Sequence, residues 1–365
     1  MVVDTYKVAT NSGLLGQPLG EGVRPEPAAV DRLPGMGTSS LPKRSLSLAL
    51  QGGGSFGAFT WGVLDRLLEE PGVSLDTISG ASAGAVNAVL LADGLAAGGP
   101  EAARAKLRHF WTQVAHSGPQ LPLGAAALLQ FSARVASPYQ LNPLGINPMR
   151  GLLTGDVDFE RVRTGSPVHL MIATTRVSDG RLRLFREHEV SLDVVLASAC
   201  LPMIHHAVEI DGEAYWDGGY AANPPLRQLV VESNARDVIL VQLMPDYHTD
   251  VPHSSRDISL RMQEIAFATS LHKELESLDD LRALCGEAHG NDADTCRKLR
   301  RLRFHRIGAG DYVEDLDHLS ALDTRQSLLT SLHDAGRRAA AQWLAANPAD
   351  AALEAVFGDA VPLLS

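Results

Sequence analysis

The sequence has few cysteines, a deficit of positive charge and no long apolar runs. Three cysteines among 365 residues cannot build a disulfide framework, and the odd number is typical of a reducing compartment. The 32 Lys and Arg residues face 43 Asp and Glu residues, giving a formal net charge of −11. This charge argues against a nucleic-acid partner and against electrostatic docking on an anionic membrane. No stretch approaches the roughly 18–20 apolar residues of a membrane span, so any membrane contact is expected to be apolar and local.

The amino-terminal residues 1–43 show neither a periodic apolar pattern nor the basic start and apolar run of a secretory signal. Their Gly, Pro and small polar residues predict a flexible arm. Together with the cysteine content, this predicts a cytoplasmic location. Cys285 and Cys296 flank a polar loop and could pair, but we expect free thiols; no cysteine has the spacing of a metal site.

From Ser45 onward the pattern is strand, glycine-rich turn, helix, strand, sharp turn and helix. Such alternation predicts a parallel sheet covered by helices. The tail from Ile258 is expected to be mainly helical. The most hydrophobic strand candidate, Val238–Leu243, is expected at the centre of the sheet. Further strands are predicted at Leu75–Ser79, Val168–Thr175, Leu182–Phe185, Ala207–Ile210, Ala214–Trp216 and Phe304–Ile307.

We divide the chain into the arm, a catalytic core over residues 44–245, and a mainly helical carboxyl-terminal part over residues 246–365 packed on the core. Within the core, residues 116–165 are apolar, interrupted by prolines and weakly periodic. Connecting helices and loops account for this texture, and so does a lid or acyl-chain channel. For the lipid-facing wall, the favoured stretch is Leu121–Leu153.

The pentapeptide Gly80-Ala81-Ser82-Ala83-Gly84 matches G-x-S-x-G. In a nucleophile elbow the serine lies on a tight strand-to-helix turn, and the flanking glycines Gly80 and Gly84 remove side chains that would clash. The helix that follows directs its N–H groups and its positive dipole end at the serine, which favours a developing anion. Because Gly, Ala and Ser also fill ordinary turns, the motif alone does not decide between a nucleophile and a structural turn.

The glycine run at residues 52–57 lies between a predicted strand and helix. The backbone N–H groups of Gly52, Gly53 and Gly54, with that of Ala83, are candidates for binding the oxyanion of a tetrahedral intermediate. A phosphate-binding loop is the alternative. The run lacks the Lys-Ser/Thr of a P-loop and the spacing of a dinucleotide fingerprint, so an oxyanion loop fits better.

Two kinds of base remain for Ser82. A serine–aspartate–histidine order would draw on one of the later histidines, none of which lies in a distinctive motif: His248, His253, His272, His305 and His318. His205-His206 precedes Asp217 and is interpreted as adjacent to the site at most. Asp217-Gly218-Gly219 is the better partner, because an aspartate on a glycine loop can reach a serine hydroxyl directly. It needs partial burial to become basic enough, and an ordinary Asp-Gly turn stays open.

These residues resemble the patatin-like phospholipase family over roughly Ser45 to Gln242. Three segments of the chain resemble motifs of that family. Gly52 to Gly57 resembles its glycine-rich motif, Gly80 to Gly84 its G-x-S-x-G motif, and Asp217 to Gly219 its D-G-G/A motif. The segment Ala197–Pro202 is similar to the family's A-S-x-x-x-P. The match departs from the family at Phe56, where Lys or Arg is usual, and at Gln51, where Asp or Gly is frequent. The absent basic residue leaves a preference for phospholipids open.

The resemblance implies a three-layer α/β/α fold with a mostly parallel sheet, and a Ser82–Asp217 dyad. It implies hydrolysis of lipid or other acyl esters with no metal and no cofactor, with Gly57, Gly80, Gly84, Gly218 and Gly219 supporting the motifs. A carboxylesterase, an acyltransferase and a silent lipid-binding protein are the alternatives. A peripheral, transient membrane contact and the oligomeric state stay open.

Overall fold

In the computed structural model, the residues described are 44–117, 137–245, 251–287, 294–313 and 321–348. The expectation of a flexible arm over residues 1–43 therefore lies outside the described residues, as do residues 118–136 of the 116–165 segment. Eight strands of the described chain form one sheet: β1 (Arg44–Leu50), β2 (Val73–Gly80), β3 (His169–Arg176), β4 (Leu182–Arg186), β5 (Val208–Ile210), β6 (Glu213–Asp217), β7 (Asp237–Gln242) and β8 (Arg303–Gly308).

The sheet has the order β5-β6-β3-β2-β1-β7-β8, and β4 also pairs with β3. The five strands from β3 to β8 in this order are parallel, whereas β4, β5 and β6 are antiparallel additions. The mostly parallel sheet is as predicted, and each predicted strand is present. The expected central position of Val238–Leu243 is wrong. β7 is fully buried but is the second strand from one side of the sheet, because only β8 lies beyond it.

Helices cover both faces of the sheet. The described helices are α1 (Gly57–Leu67), α2 (Ala83–Ser117, interrupted at Gly98-Gly99), α3 (Pro138–Leu141), α4 (Pro148–Asp156), α5 (Phe159–Gly165), α6 (Leu192–Ser198), α7 (Leu226–Glu232), α8 (Ser255–Glu287), α9 (Asp294–Arg301), α10 (Gly310–Val313) and α11 (Gln326–Ala346). Within the described residues, no helix is long and apolar enough to span a bilayer.

Alternation along the strands creates two cores. Ile239 and Val241 of β7 join the larger core, which contains α1, α2 and α11, while Val238 and Leu240 join the smaller core with α7, α8 and α9. Successive strand residues point to opposite faces, so a parallel strand covered on both sides is apolar throughout. The result is the predicted three-layer α/β/α arrangement.

The expectation of free thiols at Cys285 and Cys296 is wrong. The structure joins them in a disulfide, with 5.1 Å between their Cα atoms. The cysteines lie near the end of α8 and the start of α9, and these two helices pack against each other. The packing of these consecutive helices brings the two sulfur atoms together. The sequence separation of 11 residues alone did not decide whether the cysteines pair. Cys200 is a free, buried thiol.

Candidate active site

The glycine run and Ser82 meet at the carboxyl-terminal ends of two neighbouring strands of the sheet. The run follows β1 and Ser82 follows β2, and these two neighbouring strands are parallel. The carboxyl ends of parallel strands therefore bring both motifs together, at the edge where α/β folds commonly bind ligands. Contact is close: a Cβ atom on Gly52 would lie 2.7 Å from the Cβ of Ser82.

Ser82 has the backbone geometry of an elbow. Its φ angle is +54°, a left-handed conformation that non-glycine residues adopt at a cost of about 1–3 kcal/mol. Both flanking glycines are required by close backbone contacts: a Cβ on Gly84 would lie 2.1 Å from the Leu50 carbonyl oxygen, and one on Gly80 would lie 2.7 Å from the backbone of Gly84. The side chain is thereby held at the start of α2, with 7% of the residue's surface exposed.

Asp217 ends β6 and is completely buried. Its Oδ1 accepts a hydrogen bond of 2.8 Å from the Gly219 N–H. Among the described residues, Oδ2 has no hydrogen-bond partner. Burial raises the pKa of Asp217 to about 7, against the opposing effects of the Gly219 N–H and the nearby Ser82 hydroxyl. The carboxylate is thus close to Ser82, although the two side chains form no hydrogen bond of ordinary length in this structure.

The surroundings of Asp217 are neutral. Burial, followed by the proximity of Asp217, raises the pKa of the Cys200 thiol to about 12. The same two effects raise the pKa of the Tyr220 hydroxyl to about 12. No cation among the described residues lowers the pKa of Asp217, so desolvation dominates and the carboxyl can exchange a proton near neutral pH.

The segment after α6 connects the serine to the aspartate. The Ser82 N–H donates to the backbone oxygen and to the hydroxyl of Ser198, both at 3.1 Å. Two residues later, the Cys200 carbonyl accepts from the Asp217 N–H at 2.8 Å. The similarity of Ala197–Pro202 to a family motif pointed to this segment, but its hydrogen bonds to both residues could not be predicted from that similarity.

Asn223 was not predicted as part of the site. Its Oδ1 accepts a 2.7 Å hydrogen bond from the Gly52 N–H. Gly52 is therefore not a free oxyanion donor in this structure, contrary to the expectation for it. For the N–H groups of Gly53, Gly54 and Ala83, the described residues supply no acceptor. The only sequence feature that could have pointed to Asn223 is the Asn-Pro-Pro sequence that begins six residues after Asp217.

The supporting glycines lie at close contacts. A Cβ on Gly57 would lie 2.7 Å from the Ala83 Cβ, and one on Gly218 would lie 2.2 Å from the Ala173 oxygen. A Cβ on Gly219 would lie 3.1 Å from both Asp217 Oδ1 and the Phe267 ring. These positions allow the glycine run, the serine helix and the aspartate turn to pack against one another.

The two departures from the family pattern have structural roles. Gln51 Oε1 accepts hydrogen bonds from the backbone N–H groups of Leu243 and Met244, at 2.7 and 2.9 Å, which ties the end of β1 to the end of β7. Phe56 is buried in the larger core. The position that usually carries a basic residue therefore contributes packing here.

None of the described histidines is hydrogen-bonded to Ser82 or Asp217. His305 is hydrogen-bonded to Asp237 at 2.7 Å. Asp237 begins β7, so this pair lies at the amino-terminal ends of the parallel strands, opposite the ends that carry Ser82 and the glycine run. His206 stacks on Tyr139, and the pKa of the half-buried His205 is lowered by burial and by His206. His248 and His318 lie outside the described residues. In the ranges described, no three His, Cys, Asp or Glu side chains are grouped as metal ligands would be.

A family model described as patatin-like phospholipase matches residues 48–230. Among solved structures, VipD from Legionella pneumophila is similar at 16% identity and a TM-score of 0.43, over 84% of this chain and 68% of VipD. The ExoU–SpcU complex of the Pseudomonas aeruginosa type III secretion system is similar at 16% identity and a TM-score of 0.26, over 80% of this chain and 74% of that one. No curated protein matches the chain significantly.

Proposed function

Because the chain belongs to the patatin-like phospholipase family, we propose that it is a serine lipid acyl hydrolase that uses a Ser82–Asp217 dyad. One observation carries the proposal: Ser82, on a left-handed turn, lies beside a buried carboxyl whose pKa is raised to about 7. A serine with a neighbouring base is the arrangement of nucleophilic catalysis, and a base poised near neutral pH is the most effective.

The proposed reaction has two steps. Asp217 accepts the Ser82 proton as Oγ bonds to the ester carbonyl carbon, and Oδ2 is the acceptor because Oδ1 is occupied by Gly219. The protonated Asp217 then donates to the leaving alcohol as the ester bond breaks, leaving an acyl-enzyme. Water attacks the acyl carbon and loses a proton to Asp217. The proton returns to Oγ as the fatty acid leaves, so the enzyme is regenerated.

The oxyanion is assigned to the backbone N–H groups of Gly53, Gly54 and Ala83. Gly53 directly precedes the short helical turn before α1, Gly54 is the first residue of that turn, and Ala83 is the first residue of α2. First-turn N–H groups have no acceptor within their own helix and carry the positive end of its dipole. Asn223 and Gln51 hold the loop in place through Gly52 and the end of β7.

Fatty-acid release from mixed phospholipid vesicles, measured by mass spectrometry in the presence of a chelator, tests this function. The wild type should release fatty acid and lysolipid, and Ser82→Ala should be slower by at least about a thousandfold. Adding a short alcohol separates hydrolysis from acyl transfer, because an acyltransferase yields the new ester. Full activity of Ser82→Ala would refute the dyad. Cleavage of short esters alone would retain the dyad and remove phospholipids as substrates.

A further inference from the structure

Six large apolar side chains are exposed on two segments of the described chain. We call them the apolar patch: Tyr139, Leu141, Leu144, Ile146, Met203 and Ile204. They make up six of the 14 large exposed apolar residues of the described chain, so the exposure is concentrated here. Leu144 is 82% exposed and Ile146 is 66% exposed. Exposed apolar side chains that cluster on neighbouring segments mark an interaction site more often than isolated residues do.

The two segments are fixed to each other. The Tyr139 ring stacks on the His206 ring with 4.1 Å between centroids, and the Ala207 N–H donates to the Tyr139 hydroxyl at 3.2 Å. Next to them, the Asn142 side chain accepts from the Ile146 N–H and donates to its carbonyl, at 3.0 and 2.8 Å. Leu144 and Ile146 are therefore presented to solvent by a hydrogen-bonded loop.

One of the two segments of the apolar patch follows a residue that is hydrogen-bonded to the backbone of Asp217. The Cys200 carbonyl accepts from the Asp217 N–H, and Met203 follows Cys200 by three residues. Three residues of extended chain span at most about 11 Å. The Met203 end of the patch is therefore near the backbone segment that is hydrogen-bonded to Asp217.

The segments that form the apolar patch carry no Asp, Glu, Lys or Arg. This holds for residues 137–149 and 199–207, in a chain whose formal net charge is −11. An anionic surface would be repelled by the protein as a whole and would find no Lys or Arg side chain in these segments. A zwitterionic surface has no net charge and an apolar interior, which matches an uncharged apolar face.

We propose that the apolar patch docks the protein on zwitterionic phospholipid surfaces, with Leu144 and Ile146 inserted among the acyl chains. The proposal rests on the proposed lipid acyl hydrolase function and adds how the enzyme reaches aggregated substrate. Docking depends on apolar contact, so it is insensitive to salt.

Vesicle flotation with the Ser82→Ala protein tests docking without hydrolysis. Leu144→Ser/Ile146→Ser should bind phosphatidylcholine vesicles at least about tenfold more weakly than its parent, because two inserted side chains are lost. The matched control is Leu284→Ser/Val231→Ser, which removes exposed apolar side chains of α8 and α7 outside the patch and should bind as the parent does. Binding should persist in about 1 M NaCl.

Hydrolysis by the active enzyme separates the two proposals. The patch variant should cleave a short soluble ester at the wild-type rate and vesicle lipid at least about tenfold more slowly. Equal vesicle binding by the patch and control variants would overturn docking, as would binding that needs anionic lipid and is lost in salt. A dimer in sedimentation velocity that the patch variant abolishes would assign the patch to a second copy. Short-ester cleavage independent of Ser82 would refute the dyad and leave the binding result intact.

Discussion

At the scale of single residues, the pKa of Asp217 connects burial to activity. The carboxyl is fully buried, and burial raises its pKa to about 7. To act as the proposed general base, it must be ionised in the free enzyme. We expect kcat/KM for a short ester to increase with pH through about 7 and then to level off, because ionisation is complete above that value. A profile that levels off near pH 4 would show that the acting base is not desolvated.

The same burial predicts a cost in stability. The pKa of Asp217 is 3.8 when unperturbed and about 7 when folded. The stability of the folded protein with a protonated Asp217 is therefore fully present below pH 3.8 and is lost as pH rises through 7, because the buried carboxyl must then ionise. At about 1.4 kcal/mol for each pH unit, the loss is on the order of 4 kcal/mol. Asp217→Asn should therefore gain stability over the wild type at pH 8 relative to pH 4, while losing activity.

Denaturant unfolding at both pH values measures this effect. Asp211→Asn is the control, because Asp211 is exposed and lies on a left-handed turn that Asn tolerates. It should show no such dependence on pH. A constant difference between Asp217→Asn and wild type at pH 4 and pH 8 would contradict a desolvated carboxyl.

The sequence named Ser82, Asp217 and the glycines because each lies in a short motif with a local physical reason. It did not identify Asn223 or the double contact of Ser198 with Ser82, because these bonds join residues 171 and 116 positions apart. Motif spacing carries no information on such contacts. For the same reason, the sequence did not show that the Gly52 N–H is already bonded to Asn223.

At the scale of secondary structure elements, α1 and α11 cross at two glycines. A Cβ on Gly336 would lie 2.1 Å from the Phe59 oxygen, and one on Gly62 would lie 1.9 Å from the His333 oxygen. The helical spacing of Trp61, Leu64 and Leu67 by itself predicts one buried face for α1. The structure buries nearly the whole helix, since α11 covers its outer side. That packing partner lies more than 260 residues away, so local periodicity could not reveal it.

The crossing predicts opposite outcomes for two glycine substitutions. Gly336→Ala should lower the free energy of unfolding by about 1–3 kcal/mol, because the added methyl group forces the helices apart. Gly151→Ala is the matched control: Gly151 lies inside α4 with open space around it, and the substitution should stabilise by about 0.5–1 kcal/mol. Calorimetry of both proteins tests this, and a neutral Gly336→Ala would contradict the close crossing.

At the scale of the whole molecule, the chain beyond the family match completes the fold. The match ends at residue 230, yet β7, β8 and α11 follow it, and β8 extends the sheet beside β7. The predicted parts 44–245 and 246–365 thus share one sheet, and their division into a core and a helical part stays a proposal. Alternating strand and helix patterns made the fold class predictable, whereas the position of β7 depended on β8.

The Cys285–Cys296 disulfide bears on stability and on location. It closes a loop of 11 residues, and replacing both cysteines with serine should lower the free energy of unfolding by up to about 3 kcal/mol without changing kcat. The cytoplasmic location stays a prediction, and the disulfide argues against it, because structural disulfides persist in oxidising compartments. Alkylation of the protein in its native cells should find one free thiol; three would show that the pair is reduced there.

The most direct test of the Ser82–Asp217 dyad is covalent labelling with a fluorophosphonate probe, read by intact-mass and peptide mass spectrometry. We predict one adduct, on Ser82, at a rate that increases with pH through about 7 in the wild type and is strongly reduced in Asp217→Asn. Ser82→Ala should take up no label. An adduct on another residue, or undiminished labelling of Asp217→Asn, would contradict the account.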